Sequence, residues 1–295
     1  MPGWGSWHWI GADIRDELNC RYQTVSFAGA AVPDCDVLVL IKHMIPFDVL
    51  ERIARRTAII YCPVDAYGAI AEIDGDRAFL RKCARIVVHC ERLRRYFESY
   101  ARVEYLDHHV KFASESQVVY RKDGPILWVG TRTNVPPVVE WVNAHPLPAE
   151  LVVLTNPEVP GSMPAPEAFG FRSGLPVRLE EWSPERHLHW LSVSRAAVDV
   201  KGMDFRARHK PPAKAIDFIA SGLPLAMNAD SSSVEHLARL GFEAASISDP
   251  DRWLSQAYAD ETRHFGAALR ELLSRRRIAK RWQLVIDEVL TERRR

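Results

Sequence analysis

Residues 201–214, KGMDFRARHKPPAK, hold five cations, Lys201, Arg206, Arg208, Lys210 and Lys214, just before and within the first turn of an expected helix. Side chains of this type and spacing suit a phosphate-bearing ligand. Cations and the N–H groups of a helix start stabilise negative charge, most of all on a diphosphate that departs as a bond breaks. Pro211 and Pro212 stop any preceding element and pre-set the first turn, after which Ile216, Ile219 and Ala220 recur at helical spacing. Lys214 and Asp217 then fall one turn apart on the side expected to face solvent, where a carboxylate offers two acceptor oxygens. Gly222 ends the helix, residues 223–227 read as a buried strand, and residues 228–233 form a polar loop bearing Ser231, Ser232 and Ser233. Ligands of open α/β sheets bind where parallel strands end in this way.

Acid–base candidates are sparser in the first half. Asp65, in CPVDAYG (62–68), follows the strand-like run AIIY and could hold or activate a hydroxyl at a strand's carboxyl end; a turn or cap role is the plainer alternative. His43 after VLVLIK and His89 at the end of RIVVH share that position, where a histidine is often simply hydrogen-bonded in a wall. Residues 3–11, GWGSWHWIG, read as a glycine-flanked loop in which Trp7 and His8 could shape an acceptor pocket, since tryptophan stacks on sugar faces; closing a core is the other use of these rings. His108 and His109 are adjacent on an extended segment and point apart, so they would not share an ion, and no metal is expected. The triplets Asp34-Cys35-Asp36 and Asp74-Gly75-Asp76 are placed for turn and cap roles. No G-x-G-x-x-G, P-loop or G-x-S-x-G occurs, which argues against dinucleotide oxidoreductases, P-loop kinases and α/β hydrolases.

Strand-like apolar runs alternate with amphipathic helical ones along the chain, the pattern of parallel sheets with helices on both faces. Strands are expected at 23–27, 37–41, 58–61, 86–89, 103–106, 126–129, 151–154, 177–178, 196–199 and 224–227. Helices are expected at 10–18, 47–55, 76–83, 91–99, 136–143, 184–192, 212–221, 233–240, 250–273 and 276–291. A polar stretch from Lys111 to Pro125 separates two strand–helix series. The expected division is an N-terminal domain, 1–117, a C-terminal domain, 118–275, and a basic last helix, 276–295.

With 295 residues, 47% of them apolar, the chain can bury two cores, and a net charge of +1 gives no reason to expect nucleic acid. Residues 275–295 carry eight Lys or Arg against three acids. That reads as a solvated helical face, or as a foothold on an anionic membrane at about 1 kcal/mol per basic residue. Five cysteines without C-x-x-C spacing point to reduced, mostly buried thiols. No apolar run reaches membrane-spanning length and no signal-peptide core opens the chain, so a cytoplasmic location is expected, with peripheral contact at the inner face of the membrane as a further option.

Lys214, Asp217, Ala220, Gly222 and Pro224, in the spacing Lys-x-x-acid-x-x-Ala-x-Gly-x-Pro, with a small polar loop and Glu235 after them, resemble the nucleotide-sugar half of GT-B glycosyltransferases, especially family 4. The resemblance is specific over about 201–250. The runs 83–100, 103–112 and 124–134 are similar in layout to that family's last N-domain strand and helix, interdomain passage and first C-domain strand. The family's two glutamates are His209 and Asp217 here, and of its Arg and Lys pair only Arg132 is present, with Pro137 five residues on. The resemblance implies two Rossmann-like domains facing across a cleft, an opening N-domain strand that is short or missing in this chain, and a basic last helix, 276–295, that crosses back to the N-domain. It implies transfer of a sugar from a nucleotide diphosphate sugar, a co-substrate with no further cofactor, to a saccharide or lipid-linked acceptor, independently of metal, in polysaccharide or glycoconjugate synthesis. Asp217 would hold the ribose, Arg132, Arg206, Lys210 and Lys214 the diphosphate, and Ser231, Ser232, Ser233 and Glu235 the donor sugar or a phosphate edge. Asp65 and His209 would serve catalysis, with Trp7, His8, His43 and His89 on the acceptor side. Two alternatives share the fold: a binding protein without turnover, and a nucleotide-sugar epimerase.

Overall fold

In the computed structural model, which describes residues 5–29, 31–114 and 118–294, the chain divides into two compact units. Unit 1 gathers residues 1–109, 204–212 and 273–295; unit 2 gathers 110–203 and 213–272. Gly3, Trp4 and residues 115–117 of the polar divider lie outside the described residues.

Unit 1 begins with a π-helical turn, Trp7–Ala12, running into α1 (Asp13–Leu18). Then follow β1 (Val37–Ile41), α2 (Phe47–Ile53), β2 (Ala58–Cys62), α3 (Ile70–Gly75), α4 (Arg77–Leu80), β3 (Arg85–Val88), α5 (Glu91–Phe97) and β4 (Val103–Tyr105). Two later pieces complete it, a short helix Phe205–Arg208 (α8 in chain order) and the last helix Arg275–Arg293 (α13). The sheet is parallel in the order β1-β2-β3-β4. Strands added in sequence by right-handed crossovers put α2 to α5 on one face. The π-helical turn packs on β1, and α13 on β1 and β2. Central strands buried on both faces read as unbroken apolar runs, and AIIYC of β2 is buried throughout.

The basic last helix is fastened by ion pairs. Arg85, 4% exposed in β3, reaches Glu292 at 2.5 Å, Arg102 reaches Glu288 at 3.1 Å, and Arg275 reaches Glu17 at 2.7 Å. Arg281 pairs with Asp107, and Trp282, Ile278 and Val289 are buried.

Unit 2 comprises β5 (Ile126–Val129), α6 (Pro136–Ala144), β6 (Leu151–Thr155), β7 (Val177–Glu181), α7 (Pro184–Val193), β8 (Ala196–Asp199), α9 (Ala213–Ala220), β9 (Leu225–Met227), α10 (Ser232–Arg239), β10 (Ala245–Ser246), α11 (Pro250–Trp253) and α12 (Gln256–Leu272). Its parallel sheet runs β10-β9-β8-β5-β6-β7. The chain therefore starts in the middle at β5, builds outward to β7, and returns to β8 on the other side of β5. That reversal creates a switch point between the carboxyl ends of β5 and β8. Gly266 of α12 lies so close to α9 that a Cβ there would come within 2.0 Å of the Ile219 carbonyl oxygen.

The alternation in 23–27 does not produce a strand. Val25 is 66% exposed, and the polar side chains find local partners instead: Arg15 donates to Ser26 at 2.9 Å, and Thr24 bonds Asn19. The helix expected at 76–83 is α4 alone, preceded by α3, and the one expected at 250–273 breaks at Leu254 and Ser255 into α11 and α12. No helix among the described residues is long and apolar enough to cross a membrane.

Candidate functional site

At the switch point of unit 2 the strand β8 ends in Asp199, 1% exposed, whose carboxylate bridges two ammonium groups. Lys201 Nζ lies 3.1 Å from Oδ2 and Lys214 Nζ lies 3.0 Å from Oδ1. Burial opposes ionisation of Asp199, but the two lysines outweigh it and hold the carboxyl well below the usual carboxylate range. Lys214 enters from the first turn of α9, donates to the Val129 carbonyl at the end of β5 (2.8 Å), and stands 5.0 Å over the Trp128 ring. Lys201 also donates to Ser233 Oγ at 2.8 Å and lies 3.5 Å from Ser231 Oγ, while its backbone N–H donates to Asn228 at 2.8 Å. Ser231 caps α10, its Oγ accepting from the Ser233 N–H at 3.2 Å. Three loops that leave parallel strands thus meet around two cations and one anion, a net positive, hydroxyl-lined arrangement suited to a phosphate.

The sequence reading singled out Lys214, Ser231, Ser232 and Ser233, and the structure brings Lys214, Ser231 and Ser233 around Lys201. It missed Asp199, whose signal was an acid closing the apolar run AAVD two residues before Lys201. Ser232 is buried at the start of α10 and Glu235 is exposed on its first turn. Arg132 pairs with Glu158 at 3.2 Å and stands 5.1 Å over Phe169.

Asp217 does not face solvent: it is 2% exposed, and its Oδ1 accepts from the Lys111 N–H at 2.8 Å. One turn on, Ser221 Oγ accepts from the Ser114 N–H at 3.3 Å. The polar side of α9 therefore receives the backbone of 111–114. Burial pushes the Asp217 carboxyl up to about 7, against the bonds from the Lys111 and Phe112 backbone. His187 of α7, 3% exposed among Phe112, Trp182 and Phe218, is pushed down to about 4 by burial and by the Lys214 ammonium.

Unit 1 has its own polar strand ends. Lys42 follows β1 and Val64 follows β2, and both have positive φ, 61° and 56°, which costs a non-glycine residue on the order of 1–2 kcal/mol. These turns bring Lys42 Nζ to 2.5 Å from Asp65 Oδ1, with each side chain about a fifth exposed. Lys42 was not foreseen. His43 beside it is exposed. His89 is fully enclosed, its Nδ1 at 2.7 Å from the Leu106 carbonyl and its ring 4.5 Å from that of His108; burial pushes it down to about 4. It is a wall residue. Trp7 and His8 are half-buried on the π-helical turn, where the Trp7 ring covers Gly11.

Arg206, Lys210 and His209 belong to unit 1, and Lys201 and Lys214 to unit 2. Arg206 donates to the Ala66 carbonyl at 3.0 Å. His209 is 7% exposed and stacked on Phe205 with ring centroids 4.0 Å apart. Among the described residues no group of three or more His, Cys, Asp or Glu is placed to hold a metal ion.

Comparison with known proteins finds no matching family model and no matching curated protein. Solved structures do match. AviGT4, a glycosyltransferase of avilamycin A biosynthesis, superposes with a TM-score of 0.59 at 15% identity over 98% of this chain and 91% of its own. A trehalose-6-phosphate synthase gives 0.60 at 10% identity over 88% and 74%. The pneumococcal O-GlcNAc transferase GtfA, solved with UDP and GlcNAc, gives 0.51 at 14% identity over 83% and 55%. The chain spans little more than half the length of GtfA, 55%, and of the matched chain of the GtfA/B complex, 57%. Two units, each a parallel sheet flanked by helices, together with these superpositions give the chain the GT-B fold.

Proposed function

We propose that the chain is a glycosyltransferase of the family 4 type, moving a sugar from a nucleotide diphosphate sugar to a saccharide or lipid-linked acceptor. The observation that carries this reading is the lysine pair bridged by Asp199 at the switch point of unit 2. As the bond between sugar and diphosphate breaks, negative charge grows on the leaving oxygen, and preorganised ammonium groups stabilise that charge more than they stabilise the ground state. Lys214 is held by Asp199 and the Val129 carbonyl, and Lys201 by Asp199 and Ser233, so little reorganisation accompanies the charge. The pair supplies the positive charge that a metal ion supplies in other phosphate sites. Asp65, paired with Lys42 on unit 1, would accept a hydrogen bond from an acceptor hydroxyl. Superposition on glycosyltransferases, GtfA with UDP among them, supports the donor class.

A thermal-shift panel of UDP, GDP, ADP, CMP and dTDP with their sugar conjugates tests the reading. One diphosphate family should stabilise the protein selectively, by about 2.7 kcal/mol at one hundred times its dissociation constant. Lys214→Met should weaken that nucleotide tenfold or more. If no nucleotide stabilises the wild-type protein, the donor reading fails.

A further inference from the structure

His187 of α7 is buried with its polar groups unpaired. The ring is 3% exposed, both of its nitrogens are screened from water, and neither has a hydrogen-bond partner among the described residues. A neutral imidazole carries one N–H donor and one lone pair, and burial together with the Lys214 ammonium keeps this ring neutral. Two such groups left unpaired in an interior cost stability that the surrounding contacts must supply. The rings around it are aromatic: those of Phe112, Phe218 and Trp182 stand 5.2, 6.2 and 6.4 Å away.

Part of this cover belongs to an irregular segment. Phe218 is set in α9, and Trp182 directly follows β7, its N–H donating to the Thr155 carbonyl at 2.9 Å. Phe112, by contrast, lies in residues 111–114, which have neither helix nor strand and are each partly exposed. Side chains of α9 and of the residue that ends it tie this segment down: the Lys111 N–H donates to Asp217 Oδ1 at 2.8 Å and the Ser114 N–H to Ser221 Oγ at 3.3 Å. Burial weakens the first tie, because it favours the protonated form of Asp217, which accepts hydrogen bonds less strongly than a carboxylate. Closed, the segment hides two unpaired nitrogens. Lifted, it lets water or a ligand pair them, which offsets the ties it loses and places this segment among the parts of the fold that open locally.

We infer that residues 111–114 form a gating strap: in the folded protein Phe112 lifts from His187, and a phosphate-bearing ligand seated on Lys214 favours the lifted form, because only then can its remaining polar groups bond the imidazole. The ligand coupling rests on the donor reading; the lifting itself does not. A ligand that gains contacts in one form alone shifts the balance toward that form by its differential affinity.

Acylation of the full chain by diethyl pyrocarbonate, which attacks accessible neutral imidazoles, reads the strap without a ligand when the modified peptides are followed by mass spectrometry. His89, 1% exposed, is the internal reference, since its ring is also kept neutral and its Nε2 also lacks a partner. At neutral pH His187 should react at least tenfold faster than His89, at a rate that urea below the unfolding transition does not change. Phe112→Ala should speed His187 tenfold again and leave His89 alone. If that variant does not fold, Ser221→Ala, which removes the acceptor of the Ser114 N–H, should speed it threefold or more. Reaction of His187 at the His89 rate, a rate that climbs with urea as global unfolding does, or no acceleration in the folded variant overturns the strap. With the best-stabilising nucleotide diphosphate bound, amide exchange of residues 111–114 should quicken tenfold or more while that of α9 slows; strap amides that stay protected overturn the coupling. If no nucleotide stabilises the protein, the coupling falls with the donor reading, and acylation still decides the lifting.

Discussion

Replacing Asp217 by asparagine should remove a pH dependence of stability that the fold builds into α9. The carboxyl titrates at about 7 in the folded protein against 3.8 as its ordinary value. Between those limits the folded state holds a proton that the unfolded chain has released, so folding takes up a proton and stability falls as pH rises from about 4 to about 7. At 1.36 kcal/mol per pH unit the fall is on the order of 4 kcal/mol, fully present below the lower limit and fully lost above the upper. The buried histidines act in the opposite sense. His89 and His187, both pushed down to about 4 from 6.5, contribute stability above pH 6.5 that is lost as pH falls. Raw curves therefore mix the two, and the informative quantity is wild type minus Asp217→Asn, in which the histidines cancel. Urea unfolding from pH 4 to 8 should show the variant gaining on wild type by up to about 4 kcal/mol as pH rises, beyond a constant offset from the altered bond to Lys111. Parallel stability curves across that range would refute an interior carboxyl titrating near neutrality.

Other perturbations have separate readouts. Gly266→Ala should destabilise by about 3 kcal/mol or more, because α12 cannot keep its approach to the Ile219 carbonyl; Gly222→Ala, at φ 76° with no contact under 3.4 Å, should cost only about 1 kcal/mol by the same denaturant assay. Trp282→Ala should cost about 3–5 kcal/mol, seen as early unfolding of unit 1 by hydrogen exchange while unit 2 amides stay protected. Asp199→Ala leaves Lys201 and Lys214 without their shared counter-charge and should cost about 3–5 kcal/mol in chemical denaturation.

The parallel strands were legible because buried runs such as VLVLI, AIIYC and LVVLT are both apolar and β-branched. The alternation in 23–27 misled because period two shows that a segment can pair, not that an edge is there to receive it. Sequence also placed Lys214 and the serines near a strand end, since helix start, glycine stop and polar loop are local signals. Asp217 was misjudged for a non-local reason: its position on α9 is polar, but the chain at 111–114 arrives from a hundred residues away and covers it. The positive φ at Lys42 and Val64 has no sequence signature, because neither residue type favours that conformation. His209 and Arg206 were read with their sequence neighbours, whereas they fold with residues 66–96.

The three-part make-up of unit 1 sets an order of events during synthesis. Unit 2 has all of its residues once Leu272 has left the ribosome, but unit 1 still lacks the helix that packs on β1 and β2 and carries Glu288 and Glu292 to Arg85 and Arg102. Domains ordinarily fold from the N-terminus as they emerge. Here the first sheet to be made is the last to be finished. Until then it presents an uncovered apolar face and a buried-type arginine with only Glu104 of its three carboxylates, and a ribosome stalled within the final helix would release a chain with one native half and one adhesive half.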